Sequence, residues 1–483
     1  MKKRTRIVCT IGPASDSPET IGKLIEAGMN VARLNFSHGT RESHGELIRL
    51  IRDTARDLGL PVGILADLAG PKIRVGEIAA GSAELEAGEN FVLTSREVPG
   101  DDREVSVSYP ELPRLVEKGD VILLADGALE LEVVSASDRD ITCRVNIGGT
   151  LNPRKGVNLP TRSSGIPILT EKDEKDLEFI ARQGVDFIGL SFVRTGSEVE
   201  EVRRRLERLS SPTPLIAKIE KPQAVKNIEE IIAAADGVMV ARGDLGVEIP
   251  FAEVPIIQKK IIYRAHRAGK PVITATQMMA SMVSSPRPSR AEVSDVAGAI
   301  FDGTDGIMLS EETAAGEYPV RAVEAMAAVA RQVEADQLYR EWIRSWIARM
   351  LDEQERLPVE ESVARSACFL AAGIGADKII VHTASGSAAR RVAKYRPDAP
   401  ILAVTSSEEV YRSLSLTWGA AAVLIPDPDN FDEMITGAVE AGISGGRLEK
   451  GDRVVVTAGV PINHPGHTNE IRVVTIGKPD KTF

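Results

Sequence analysis

Two short stretches of this sequence carry residues suited to handling a phosphoryl group. In Lys218-Ile219-Glu220, the period-two geometry of a strand sets an ammonium and a carboxylate on one face, one to meet phosphate and the other to hold metal. In Ala241-Arg242-Gly243-Asp244-Leu245-Gly246, the glycines let backbone N–H groups approach an anion closely, and Asp244 supplies a second carboxylate. Phosphoryl transfer passes through a loose transition state and is catalysed mainly by positioning and electrostatics, so lysine, arginine and magnesium are the groups it needs. Two carboxylates that leave room for water and substrate oxygens suit magnesium. A Lys-x-Glu triplet is more often a solvated ion pair, but Leu215-Ile216-Ala217 and Ile219 read as a buried strand, where idle charge is costly.

Such residues must be held by a frame, and the frame is legible as alternation. Short β-rich apolar runs at 6–12, 31–37, 63–68, 187–193, 215–220, 237–243, 271–277 and 306–313 alternate with amphipathic helical stretches. Several runs end on chemically loaded residues: Arg33, Asn35 and Ser37; Asp67; Lys218 and Glu220; Arg242 and Asp244; Thr276; Glu312. An eight-stranded (β/α)8 TIM barrel gathers all strand C-termini on one face, so this clustering predicts one shared site. The series breaks between the third and fourth runs for a glycine-rich segment of alternating apolar residues, expected to be an inserted small β-barrel acting as a lid. After a charged helical passage a second βα pattern begins, with strands expected at 378–382, 401–405, 453–457 and 472–476, as in a Rossmann-like α/β domain. The expected division is 1–70 and 167–345 for the barrel, 71–166 for the insert and 346–483 for the C-terminal domain.

With 70 acidic against 59 basic residues the net charge is -11, which disfavours nucleic acid and anionic membrane surfaces as partners. Cys9, Cys143 and Cys368 lie far apart, match no metal-ligand spacing and cannot all pair, which fits a reducing compartment, expected to be the cytoplasm. The basic start is followed by an apolar run that stops at Gly12-Pro13, so it reads as a strand entrance rather than a secretion leader. No apolar stretch reaches the length of about 18 residues that a membrane span requires.

Beyond these elements the sequence resembles pyruvate kinases over essentially its whole length. The matching words include Thr10-Ile11-Gly12-Pro13-Ala14-Ser15, the run from Gly28 through Gly39, Lys155-Gly156-Val157-Asn158-Leu159-Pro160, Ala241 through Ile249, and Gly269 through Met278. The resemblance implies transfer of a phosphoryl group from phosphoenolpyruvate to ADP, giving pyruvate and ATP. It implies that Lys218 stabilises the moving phosphoryl group, that Arg33 contacts it from the other side, and that Glu220 and Asp244 bind Mg2+, with Mn2+ able to substitute. Thr276 and the Gly243-Asp244 backbone would hold the substrate carboxylate, leaving open whether Thr276 or a water delivers the final proton. Asn35, His38, Arg74 and Lys155 would serve the nucleotide, and the family implies a homotetramer. A metal-dependent lyase or aldolase on the same barrel would need neither Lys155 nor the insert and would bind no ADP.

Two departures stand out. Many members read Asp-Thr-Lys-Gly-Pro-Glu after the third strand and hold a potassium ion with groups equivalent to Asn35, Ser37, Asp67 and the carbonyl of residue 68. Here the run is Asp67-Leu68-Ala69-Gly70-Pro71-Lys72, resembling the potassium-independent branch, with the Lys72 ammonium expected to replace the ion. In Ser310-Glu311-Glu312-Thr313 the family usually has glycine in place of Glu311, whose charge is expected to point away from the phosphate site. Farther on, Thr383, Ser385, Gly386 and Ser387 lie between a strand and a helix, where hydroxyls and backbone amides cradle phosphate. This loop resembles the family's site for a phosphorylated allosteric effector; its ordinary alternative is a helix N-cap with a tight turn.

Overall fold

The computed structural model of the protein describes residues 3–160, 165–352, 356–462 and 467–477. Eight parallel strands, Arg6–Thr10, Val31–Asn35, Gly63–Asp67, Phe187–Leu190, Leu215–Ile219, Gly237–Ala241, Val272–Ala275 and Gly306–Leu309, close into a barrel in which the last pairs with the first. Each strand stops short of the apolar run that predicted it, because the final residues leave the ladder to form the loops of the open face. The intervening helices start where the sequence caps them: Thr40 with Ser43, Thr170 with Asp173 and Ser289 with Glu292 form reciprocal capping boxes.

Period-two alternation sorts the strand residues into two layers. Ile7, Cys9, Ala32, Leu34, Ile64 and Ala66 face outward against the helices. Val8, Val31, Leu65, Phe187, Ile216, Met239, Ile273 and Met308 face inward and fill the barrel. Two steps farther along the same inward rows come Arg33 after Val31, Asp67 after Leu65 and Lys218 after Ile216. One alternation thus builds an apolar floor and a charged mouth.

The inserted unit has its own core, including Phe91, Leu93, Ile122, Leu131, Ile141 and Cys143. Its six-stranded sheet runs in the order Val157–Asn158, Val121–Leu124, Leu129–Ala136, Asp140–Ile147, Asn90–Thr94 and Glu104–Ser106, with Ala83–Leu85 and Gly149–Leu151 paired beside it. The two crossings to the barrel run together as a neck, where Val75 N–H donates to Lys155 O and Val157 N–H to Ile73 O, each at 2.9 Å.

The C-terminal unit is a five-stranded sheet in the order Ala420–Leu424, Ile401–Thr405, Lys378–His382, Arg453–Ala458 and Glu470–Thr475, parallel except for the last strand. The sequence reading had four of these; Ala420–Leu424 was missed because three of its residues are alanine, which favours helix over strand. This unit docks under the barrel floor, where Leu416 completes the inward-facing core. Arg6 donates to Thr417 O at 2.6 Å, Arg396 pairs with Asp305 at 2.9 Å and stacks over Trp418, and His266 Nε2 lies 2.5 Å from Lys394 O. Among the described residues no helix is long and apolar enough to cross a membrane.

Candidate active site

The charged mouth is a connected set. Lys218 Nζ stands 2.9 Å from Glu220 Oε1 and 3.4 Å from Asp67 Oδ1, and it donates to Ser191 Oγ at 2.8 Å. Arg33 reaches the other Asp67 oxygen at 2.7 Å and donates to Thr10 Oγ1 at 3.0 Å. Glu220 and Asp67 are only 1% exposed, while Lys218 and Arg33 keep 11% of their side chains open. The positive groups therefore face the opening and the carboxylates stand behind them. Burial works against the Lys218 charge, but Asp67 and Glu220 more than offset it and hold the ammonium above the ordinary lysine range. Burial likewise raises Asp67, yet Lys218 and Arg33 outweigh it and leave that carboxyl below the usual range.

Glu220 behaves differently: burial raises its carboxyl against the pull of Lys218, and the nearby Asp244 charge adds to the rise. A buried carboxylate with a second one, Asp244, near enough to raise it suits a divalent cation, which relieves the repulsion. Among the described residues no cluster of three or more His, Cys, Asp or Glu side chains forms a closed metal cage. The donor set thus fits a hard cation that takes its remaining ligands from substrate and water. Asp244 lies in the short helix Arg242–Glu248, one third exposed, with Lys72 Nζ 3.5 Å from its Oδ1. Gly243 N–H donates to Thr276 Oγ1 at 2.8 Å, joining the backbone and hydroxyl expected to share a carboxylate ligand. Thr276 and Gln277 hold φ of 69° and 54°, a left-handed turn that non-glycine residues adopt only when their surroundings enforce it.

The remaining sequence-predicted residues are distributed around this centre. Asn35 ends its strand, where its Oδ1 accepts from Ser37 N–H at 3.2 Å, and His38 is exposed just beyond. Arg74 and Lys155 are exposed on the neck, with Arg74 opposite Gly156. Leu68 is buried, and its carbonyl accepts from Ser191 Oγ at 2.7 Å. Lys72 approaches Asp244 rather than Asp67, whose oxygens belong to Arg33 and Lys218. Glu311 is exposed, whereas Glu312 is buried and accepts from Met279 and Ser310 N–H groups, which gives it a structural task. Thr383, Ser385 and Gly386 lie in the loop before the helix Ser387–Lys394, which Ser387 opens, with Gly386 at φ 79° and Thr383 Oγ1 buried without a partner.

Three contributors escaped the sequence reading. Ser191 links Lys218 to the Leu68 carbonyl, Thr10 braces Arg33, and Phe192 N–H donates to Glu220 Oε2 at 2.7 Å. Ser191 stands just past the strand Phe187–Leu190, a position that the barrel rule marks as functional even for an unremarkable hydroxyl.

Residues 2–323 match the family model "Pyruvate kinase, barrel domain". The chain belongs to the pyruvate kinase family. Residues 361–474 match the model "Pyruvate kinase, alpha/beta domain". The pyruvate kinase of Geobacillus stearothermophilus is 48% identical over 99% of this chain and 81% of its own length. That of Sporosarcina psychrophila is 46% identical over 98% and 81%. A crystal structure of a pyruvate kinase from Cryptosporidium parvum superposes with a TM-score of 0.91, at 37% identity, covering 98% of this chain and 96% of that one.

Proposed function

We propose that the chain transfers the phosphoryl group of phosphoenolpyruvate to ADP, giving pyruvate and ATP, at the mouth built on Lys218, Arg33, Glu220, Asp244 and Thr276. The observation that carries this reading is the Lys218 ammonium held between Asp67 and Glu220, with Arg33 beside it, where both cations meet a phosphoryl group arriving from the open side. An oxygen of the ADP β-phosphate attacks phosphorus, the bond to the enol oxygen breaks, and Lys218 and Arg33 neutralise the charge spread over the peripheral oxygens. Enolpyruvate then takes a proton at its methylene carbon, with the Thr276 hydroxyl positioned by Gly243 N–H beside the substrate carboxylate. Glu220 and Asp244 would hold magnesium, which when bound would supply further charge neutralisation at the transferring phosphoryl group. Asn35 and His38 serve the nucleotide from the barrel side, and Arg74 and Lys155 from the neck as the insert closes and excludes water.

Potassium is not required in this reading. The groups that hold it elsewhere in the family are already engaged here: Asp67 with Arg33 and Lys218, the Leu68 carbonyl with Ser191, and Asn35 with the Ser37 backbone. Lys72 adds a fixed positive charge beside Asp244. At the C-terminal unit, the buried Thr383 hydroxyl and the Ser385-Gly386-Ser387 turn support binding of a phosphorylated effector. Exposed Phe251, Leu338, Val359 and Phe369 support assembly with further copies as a homotetramer. Three free, buried cysteines suit the cytoplasm.

A coupled assay with phosphoenolpyruvate and ADP tests the reaction. Pyruvate forms with magnesium and not with a chelator; full turnover in chelator overturns the metal assignment, and no pyruvate under any condition overturns the reaction. Removing potassium and ammonium leaves turnover within about twofold, and its collapse defeats the role given to Lys72.

A further inference from the structure

The inserted unit and the metal carboxylates are joined by one buried network. Asn158, on the neck, donates from Nδ2 to Glu248 Oε1 at 2.9 Å. The same oxygen receives Lys221 Nζ at 2.5 Å, in a pair whose side chains are 11% and 1% exposed. Lys221 directly follows Glu220, and Glu248 ends the helix Arg242–Glu248 that carries Asp244. The Lys221 ammonium also lies 5.7 Å from the centre of the Phe192 ring, whose backbone N–H donates to Glu220. Phe192 holds φ of 58°, unfavourable for a bulky residue, so the turn that aims this N–H is kept in place by its surroundings. The other strand of the neck makes a second tie, through Lys72 to Asp244. Both crossings therefore grip one short helix, Lys72 near its start and Asn158 at its end.

Apolar residues of similar size often replace a buried ion pair with no loss of stability, so stability alone does not explain this arrangement. We propose that Asn158, Glu248 and Lys221 are positioning residues, forming a latch through which the seating of the inserted unit sets the placement of Glu220 and Asp244 toward a divalent cation. The proposal rests on the reading of those two carboxylates as cation ligands. With the unit seated, the Asn158 amide fixes Glu248 and hence the end of the Asp244 helix. When the unit swings away that hydrogen bond breaks, Glu248 keeps Lys221 alone, and Asp244 is free to shift from Glu220. Linkage makes the effect reciprocal, so cation binding favours the seated unit.

The test uses the full chain with Mn2+ as probe, titrated by electron paramagnetic resonance without substrates, alongside the magnesium dependence of turnover. Asn158→Leu and Asn158→Asp, neither of which touches the cation, are expected to weaken Mn2+ binding and raise the magnesium activation constant by about 10- to 100-fold, the size of one hydrogen bond to a charged group. In the parent, Mn2+ slows hydrogen exchange across the neck at 73–75 and 155–158, and in the variants it does not. Folded Asn158 variants with Mn2+ affinity and magnesium activation within about twofold of the parent overturn the latch. Should neither fold, Lys221→Met is judged by the same criteria. Glu220→Gln separates the two readings: parent-like Mn2+ binding in that variant removes the cation assignment, whereas its loss beside unchanged Asn158 variants removes only the latch.

Discussion

The two ends of the barrel are closed in opposite ways. At the floor, charged groups of the barrel and of the C-terminal unit are paired: Arg396 with Asp305, Arg412 and Arg52 with Asp186, and Arg6 with backbone carbonyls, while Leu416 fills the apolar centre. At the mouth the same inward rows carry Arg33, Asp67, Lys218 and Glu220, with the cations turned to the opening and the carboxylates buried behind them. Ion pairs at one end hold units together; at the other the cations stay open to a ligand. Stability and chemistry are thus separated along the length of the same strands.

That contrast breaks if substitutions at the mouth and the floor have interchangeable effects. Lys218→Met should lower kcat by about a thousandfold or more, because it removes charge stabilisation from the moving phosphoryl group, with circular dichroism unchanged. Arg396→Met should instead leave turnover per folded molecule intact and cost about 3–5 kcal/mol in chemical denaturation, since it strands Asp305 in the floor. Leu416→Ala should cost about 2–5 kcal/mol by opening a cavity in the barrel core, again without a specific loss of kcat. The smallest effect concerns His266, whose pKa is held well below the ordinary value by burial and then by Arg396. The unfolded chain therefore binds the extra proton first, so the stability involved is present above about pH 6.5 and is lost as pH falls below it. Thermal midpoints between neutral pH and mild acid should fall less steeply in His266→Gln than in the parent; identical slopes would remove His266 from the floor's charge balance.

Much of this was readable because strand periodicity is local. Ile216, Lys218 and Glu220 share a face by counting residues in twos, and the apolar residues before Lys218 mark where the interior begins. What the chain assembles from distant segments was not readable. Ser191 is one hydroxyl among many until the barrel sets it against both Lys218 and Leu68. Lys72 could be recognised as an unusual charge, but its approach to Asp244 depends on how the neck leaves the third strand. The strand Ala420–Leu424 was hidden because its pattern comes from pairing with Ile401–Thr405 rather than from the propensities of its own alanines. Asn158 and Glu248 lie within stretches that match the family and Lys221 directly follows Glu220, yet no spacing rule connects residues so far apart in sequence.

Leu416 also sets a timetable. The last barrel strand ends at Leu309, while the residue that fills the barrel's floor is made 107 residues later (416 − 309). At ribosomal rates of about 5–20 residues per second, the eight strands wait roughly 5 to 20 s before the barrel's interior is complete. During that interval the floor is an open apolar mouth, a surface that a chaperone or an aggregating neighbour meets before the protein's own C-terminal unit does.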